Sequence, residues 1–375
     1  MQQNMVPAPK TDWSGLMHAL GPSFAGRADQ CDANDAFVAE NFADLKKRDV
    51  LAAAVPAELG GGDASYPELC EMLRVLARYC GSTALTLSMH THPLATIVWR
   101  WRRDPAPFER ILRRVVDERI QLVTSGASDW LAGSGVARRV ENGWRISARK
   151  VFVSGSPVGD LLMTTAVDTS ESTPIVMHFA VPLSAAGVTV HDNWRTLGMR
   201  GTGSHDVVIE DLYVPEAAIT MRRPAGEWVP GIQLMQIIAL PLILGCYLGV
   251  AEAMRDRAIA MAAKRANPGL IDIVGELETD LACARVTHCD MVEAATTLEP
   301  SAEALNRIFL GRTIVGKAVL RVADRAMEAG GGSAFYRAAG LERLFRDIQG
   351  VRYHRPQERM QLRYSGELAL GIKCT

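Results

Sequence analysis

The sequence predicts an α+β protein in three consecutive parts: a helical N-terminal domain, a middle antiparallel β-barrel or sandwich, and a C-terminal helix bundle. Three observations carry this. Apolar residues recur at intervals of three and four from about Trp13 to Asp117. Short β-rich runs separated by turn residues fill Ile120 to Arg222, and the helical pattern returns from Gly231 onward. Strands and helices never alternate, which excludes a doubly wound or barrel α/β enzyme. The expected domains are 1–119, 120–223 and 224–375.

The N-terminal part breaks at Pro56 and at Gly60-Gly61-Gly62. Asp63 or Ser65 then offers a cap, with Pro67 and Glu68 placed for a new helix start and Leu69, Met72, Leu73 and Leu76 on one face. In the middle part, Trp144–Ser147, Leu161–Val167 and Ile175–Val181 read as strands, and Asn142-Gly143 signals a two-residue hairpin because a type I′ turn needs positive φ at both central positions. The C-terminal part breaks at Pro300 and at Gly330-Gly331-Gly332. Internal repeats and low-complexity segments are missing from the sequence.

A chain of 375 residues exceeds one hydrophobic core, and 48% hydrophobic against 22% charged residues is the mix of an ordinary globular protein. With 41 Lys and Arg against 42 Asp and Glu the formal net charge is −1, so no global field draws the protein onto nucleic acid or an anionic membrane. The seven cysteines are odd in number, scattered and never in a C-x-x-C pair, which argues against a zinc site or a disulfide framework and for a reducing compartment. The opening MQQNMVPAPKTDW has the look of neither a signal nor a transit peptide, so a cytoplasmic protein is expected. The apolar run Ile237–Ala251 is shorter than a membrane span and contains Pro241, Gly245 and Gly249, and it reads as a buried core helix.

Five local sequences, in the same α, β, α order, resemble the acyl-CoA dehydrogenase superfamily across nearly the whole chain. They are Val55-Pro-Ala-Glu-Leu-Gly-Gly-Gly, the stretch Gly126–Gly135 (GASDWLAGSG), Lys150-Val-Phe-Val-Ser-Gly, the stretch Trp194–Pro215 (WRTLGMRGTGSHDVVIEDLYVP), and Ala326–Tyr336 followed by Leu341–Asp347 (LERLFRD). The tail from Leu341 to Gly371, with His354, also resembles the branch of that superfamily holding flavin monooxygenases and N-oxygenases. The resemblance implies the family fold: a helical domain, an antiparallel β-barrel and a four-helix bundle.

It also implies a flavin, FAD with FMN as the alternative, and a set of residues to hold it. Ser128 falls on the family's flavin-binding threonine and Ser134 on its serine, while Trp130 and Gly135 depart from the pattern. Phe152 would pack on the flavin ring and Ser154 would bond near its N5; as an isolated aromatic in a strand, Phe152 would read as barrel core. Gly331 and Gly332 would let a pyrophosphate approach the backbone, with Glu328 standing where a glutamine is usual and Arg265 reaching across a dimer. Thr202 and Ser204 would border the substrate, whereas Val207, Ile209 and Val214 read as strand core.

A dehydrogenase of this family needs a carboxylate to remove the proton beside a thioester carbonyl. Its usual position falls on Arg355, and the alternative position on Ala239. His354 and Glu358 are the candidate substitutes, Glu358 also reading as a solvated carboxylate paired with Arg355 or Arg359. His90, with His92 beside it, is a candidate pocket residue; an i, i+2 pair does not share a helix face, so a two-histidine metal site is not expected. Three functions are open. The first is a dehydrogenase of an acyl thioester delivering electrons to an electron-transfer flavoprotein. The second is a monooxygenase or N-oxygenase of a small molecule fed by a separate flavin reductase. The third is a catalytically silent flavin-binding subunit. A shared flavin site implies a homodimer or homotetramer.

Overall fold

The computed structural model describes residues 11–126, 129, 131–170, 172–265, 267–372 and 374. The N-terminal helices are α1 (Trp13–Ala33), α2 (Ala39–Lys47), α3 (Tyr66–Tyr79), α4 (Gly81–Trp101) and α5 (Glu109–Asp117). α3 starts where the sequence places it, since Glu68 accepts from the Ser65 backbone N–H at 2.7 Å and closes the first turn. The C-terminal helices are α6 (Pro230–Ala262), α7 (Pro268–Thr297), α8 (Ala302–Gly330), α9 (Leu341–Ile348) and α10 (Glu358–Ala369). Asn267 caps α7 and Ser301 caps α8.

α6 is the axis of the molecule. It packs on α3, α4, α7, α8 and α9, and it is apolar all round because protein surrounds it. By length and hydropathy it could cross a membrane, yet 94% of its most apolar window is buried against the rest of the chain. Its one buried carboxylate, Glu252, is clamped by Arg74 of α3 at 2.6 Å and Arg285 of α7 at 2.8 Å.

Between the helical parts lies one sheet of eight strands: β1 (Leu122–Thr124), β2 (Val136–Val140), β3 (Gly143–Val153), β4 (Leu161–Asp168), β5 (Ile175–Pro182), β6 (Val188–Val190), β7 (His205–Pro215) and β8 (Met221–Pro224). The pairings run β6-β7-β3-β2-β4-β5-β8, with β1 joining β4 in parallel. The strands enclose a core of their own that includes Trp144, Ile146, Phe179, Val207, Ile209 and Val214. The hairpin sits one residue earlier than expected. Val140 pairs with Gly143, so Glu141 and Asn142 form the turn and only Asn142 has positive φ. Gly143 is required instead by close packing, since a Cβ there would lie 2.5 Å from the Val214 carbonyl.

α9 fastens the loop between β6 and β7 to α1. Arg346 bonds Asp32 and the Leu197 carbonyl, and buried Asp347 accepts from the Met199 N–H at 2.6 Å. Gly198 meets α9 so closely that a Cβ would lie 2.1 Å from the Arg346 carbonyl. This docking sets one wall of the main cavity.

Candidate functional site

A cavity of about 350 Å³ opens where the sheet meets α4, α6 and the segment after α9. Phe152, Ser154, Trp194, Thr202, Ser204, Tyr247, His354 and Arg355 line it. Among the described lining residues none is an aspartate or glutamate.

Phe152 is not barrel core. It sits in an irregularity of the β3–β7 pairing with φ 57°, a left-handed backbone that a bulky residue rarely adopts, and its side chain is 54% exposed. The twist aims the ring into the cavity, where Trp194 supports it edge-on at 5.7 Å. A strained, exposed aromatic against a cavity is a platform for a planar ligand.

Beside it runs a chain of hydroxyls. Ser154 bonds Ser204 at 2.7 Å, Ser204 bonds Thr202 at 2.7 Å, and Thr202 donates to the Met199 carbonyl at 2.8 Å. A hydroxyl has one proton to give. With Thr202 spent on the carbonyl, Ser204 donates to Thr202 and Ser154 donates to Ser204. The Ser154 oxygen therefore offers lone pairs to the cavity, making it an acceptor for an N–H. These features fit a flavin ring, whose reduced form carries an N–H at N5.

His354 faces the same space and contacts the Tyr247 hydroxyl at 2.8 Å. Burial holds the imidazole down at about 4, and the Arg312 guanidinium adds to the effect. Arg312 also donates to the His354 carbonyl at 2.6 Å and the Val351 carbonyl at 2.9 Å, fixing the segment that carries the histidine. The neutral Tyr247–His354 pair holds two protons and spends one on its mutual bond. One remains to offer a bound molecule, whichever group donates.

Several expected site residues lie elsewhere. His90 is not among the lining residues of the main cavity: its Nε2 bonds the Leu51 carbonyl at 2.8 Å and its Nδ1 accepts from the Leu122 N–H at 3.0 Å, so both nitrogens pin α4 to its surroundings. Its neighbour His92 points the other way, into a second chamber of about 120 Å³. Glu358 starts α10 and pairs with Lys317 at 2.5 Å, outside the cavity lining. That is the solvated-carboxylate reading with a different cation. Ser134 donates to Asp129 and accepts from Lys150 at 2.9 Å, so its hydroxyl is consumed inside the protein.

Lys150 and Asp129, 2.8 Å apart and buried, form a polar knot with Ser125, Ser134 and Thr164 under the cavity floor. Ser128 lies outside the described residues. Arg265 donates to the Ala329 and Gly330 carbonyls at 2.9 and 3.0 Å, so it and the turn with Gly331 and Gly332 are together at the exposed end of α8, away from the cavity. Glu328 is compensated by Arg325 at 3.2 Å. The sequence reading missed Tyr247 and Arg312. The one signal for Tyr247 was a hydroxyl-bearing residue inside an otherwise apolar run.

Profiles for the acyl-CoA dehydrogenase N-terminal, middle and C-terminal domains match residues 22–104, 124–212 and 242–358. L-evernosamine nitrososynthase of a Micromonospora species is 26% identical, with 98% of this chain and 92% of that protein covered. An amino sugar nitrososynthase of Streptomyces rubradiris matches equally, at 26% over 98% of this chain and 92% of its own. The crystal structure of KijD3 in complex with FMN and dTDP-3-amino-2,3,6-trideoxy-4-keto-3-methyl-D-glucose superimposes with a TM-score of 0.87 at 27% identity, covering 98% of this chain and 96% of that one. With all three domain profiles matched in order and the same three-part fold, the chain belongs to the acyl-CoA dehydrogenase family.

Proposed function

We propose that the protein is a flavin-dependent monooxygenase or N-oxygenase that receives reduced flavin from a separate reductase. The observation that carries this reading is the cavity wall. Arg355 in the wall of the main cavity and Ala239 in that of the second chamber occupy the positions that the family resemblance gives to the base, and no carboxylate lines the main cavity among the described residues. Buried Asp129 is saturated by Lys150 and the hydroxyls of Ser125, Ser134 and Thr164. Of the two candidate substitutes only His354 reaches the cavity, and with its imidazole held down at about 4 it is a weak base for a proton beside a thioester carbonyl.

What lines the cavity instead suits oxygen transfer. Reduced flavin, when bound, supplies the electrons that activate dioxygen. Phe152 and Trp194 would carry the ring, Ser154 would accept its N–H, and Ser128 would meet its pyrimidine edge. FMN is the form in the KijD3 complex, and FAD remains the family alternative. His354 with Tyr247 would offer one proton in a largely apolar pocket, and closing out water there protects reactive oxygen from loss. The nitrososynthase relatives suggest an amine-bearing small molecule as substrate. The exposed turn at Gly331 and Gly332 with Arg265 would complete the site of another subunit in a homodimer or homotetramer.

The test supplies reduced FMN from a flavin reductase and NADH, then follows oxygen uptake with amine-bearing sugar nucleotides and other small amines. Oxygenated product is the expected result. Bleaching of bound oxidised flavin by an acyl-CoA under anaerobic conditions would overturn the proposal and restore the dehydrogenase.

A further inference from the structure

The second chamber, about 120 Å³, lies between the C-terminal half of α4, the start of α6 and strands β4, β5 and β8. It shares Thr124 and Ser125 with the main cavity, so the two adjoin across β1. Its wall holds an unusual concentration of unpaired polar atoms. Among the described residues, His92 is 5% exposed with both ring nitrogens unpartnered, Thr165 is 3% exposed with an unpartnered hydroxyl, and Gln236 is 2% exposed with an unpartnered Oε1. Buried polar atoms are nearly always hydrogen-bonded, and leaving three side chains in one chamber unpaired costs free energy that a ligand would recover.

The chamber is also electropositive. Arg100 lines it, half-buried, and makes no ion pair or hydrogen bond among the described residues. The other cations nearby are engaged: Lys150 holds Asp129, and Arg223 donates to His178 Nε2 at 3.0 Å and to the Leu131 carbonyl at 2.5 Å. Asp129 is the single carboxylate among the described lining residues, and Lys150 neutralises it. Arg100 is thus a partly desolvated cation with no counter-charge among the described residues. Half-buried His178 feels the same field, since Arg223, Arg100 and Lys150 add to the desolvation that lowers its imidazole.

We propose that this chamber is a recognition subsite for an organic anion that carries a hydroxyl or amine next to its carboxylate or phosphate. Arg100 supplies the counter-charge. Neutral His92 offers one donor and one acceptor, Thr165 offers a hydroxyl, and the Gln236 Oε1 takes a hydrogen bond that a bare anion does not give. The inference names a substrate class for the site above and rests on that reading only in calling the ligand a substrate.

Binding is measured on the full-length protein without flavin or oxygen, so failure here leaves the oxygenase test standing, and the reverse. Thermal stability is followed against lactate, propionate and inorganic phosphate, with sodium chloride at matched ionic strength as the blank. Wild type is expected to be stabilised at millimolar ligand, more by lactate than by propionate. R100Q is expected to weaken binding by about tenfold or more, and R100K to restore part of it. A preference for lactate over phosphate would assign a carboxylate ligand, and the reverse a phosphoryl ligand. Stabilisation by none of the three beyond chloride, or equal stabilisation of wild type and R100Q, would overturn the proposal; propionate equal to lactate would overturn the role of Gln236.

Discussion

The Tyr247 hydroxyl sits 2.8 Å from the Nε2 atom of His354, with the two rings edge-on at 5.4 Å, and this contact joins α6 to the segment after α9 inside the main cavity. Phenylalanine in place of Tyr247 keeps the ring packing and removes the hydroxyl, leaving a buried nitrogen unpaired. Product formed per reduced flavin is expected to fall by roughly 10²-fold in Y247F, with hydrogen peroxide rising in its place and flavin affinity held within about twofold. Product and peroxide assays check this. Unchanged coupling in Y247F would remove the pair from the reaction.

The hydroxyl chain makes Ser154 an acceptor because Ser204 takes its proton. In S204A that proton is released, and Ser154 is free to donate. The preference for reduced over oxidised FMN, read from anaerobic titrations of each, is expected to shrink by about fivefold to tenfold. A ratio identical to wild type would show that Ser154 is not set by its neighbours.

Phe152 combines a left-handed backbone with a half-exposed ring. Glycine adopts that backbone without strain. F152G is therefore expected to gain about 1 kcal/mol of stability in the flavin-free protein while weakening flavin binding by about tenfold, opposite signs from one substitution. Urea denaturation and flavin titration measure the two. If stability and flavin affinity both fell, the ring would be packing core rather than a platform.

Among the described residues six imidazoles are held below their ordinary value, chiefly by burial: His90 and His354 at about 4, His92 and His178 at about 3, and His205 and His288 in the same direction. An unfolded imidazole titrates at about 6.5, so between these values the unfolded chain binds more protons and stability rises with pH. The stability is complete above about pH 6.5 and is lost as pH falls toward 4, each histidine adding up to about 1.4 kcal/mol per pH unit. Asp347 works in the other direction, because burial raises its carboxyl to about 6 and its ionisation costs stability as pH climbs. Six groups outweigh one. The melting temperature is expected to drop steeply below pH 6.5, and a flat profile down to pH 4.5 would contradict the burial of these rings.

The sequence by itself determined the three-part architecture, because helix and strand periods are local properties and because the motifs between Val55 and Asp347 come in one order. It also carried the resemblance by which Arg355 and Ala239 stand where the family has a base, and no folding step changes their identity. Local spacing could not decide which of His90 and His92 meets a cavity. Two residues apart on a helix they face nearly opposite sides, and the packing of α4 against β1 and Leu51 sent His90 into the structure and His92 into the chamber. Nor could it decide that Tyr247 meets His354 across 107 residues, that Ser154, Ser204 and Thr202 share one chain of protons, or that Arg100 has no partner among the described residues. Those relations depend on distances between elements, which only the packed tertiary structure sets.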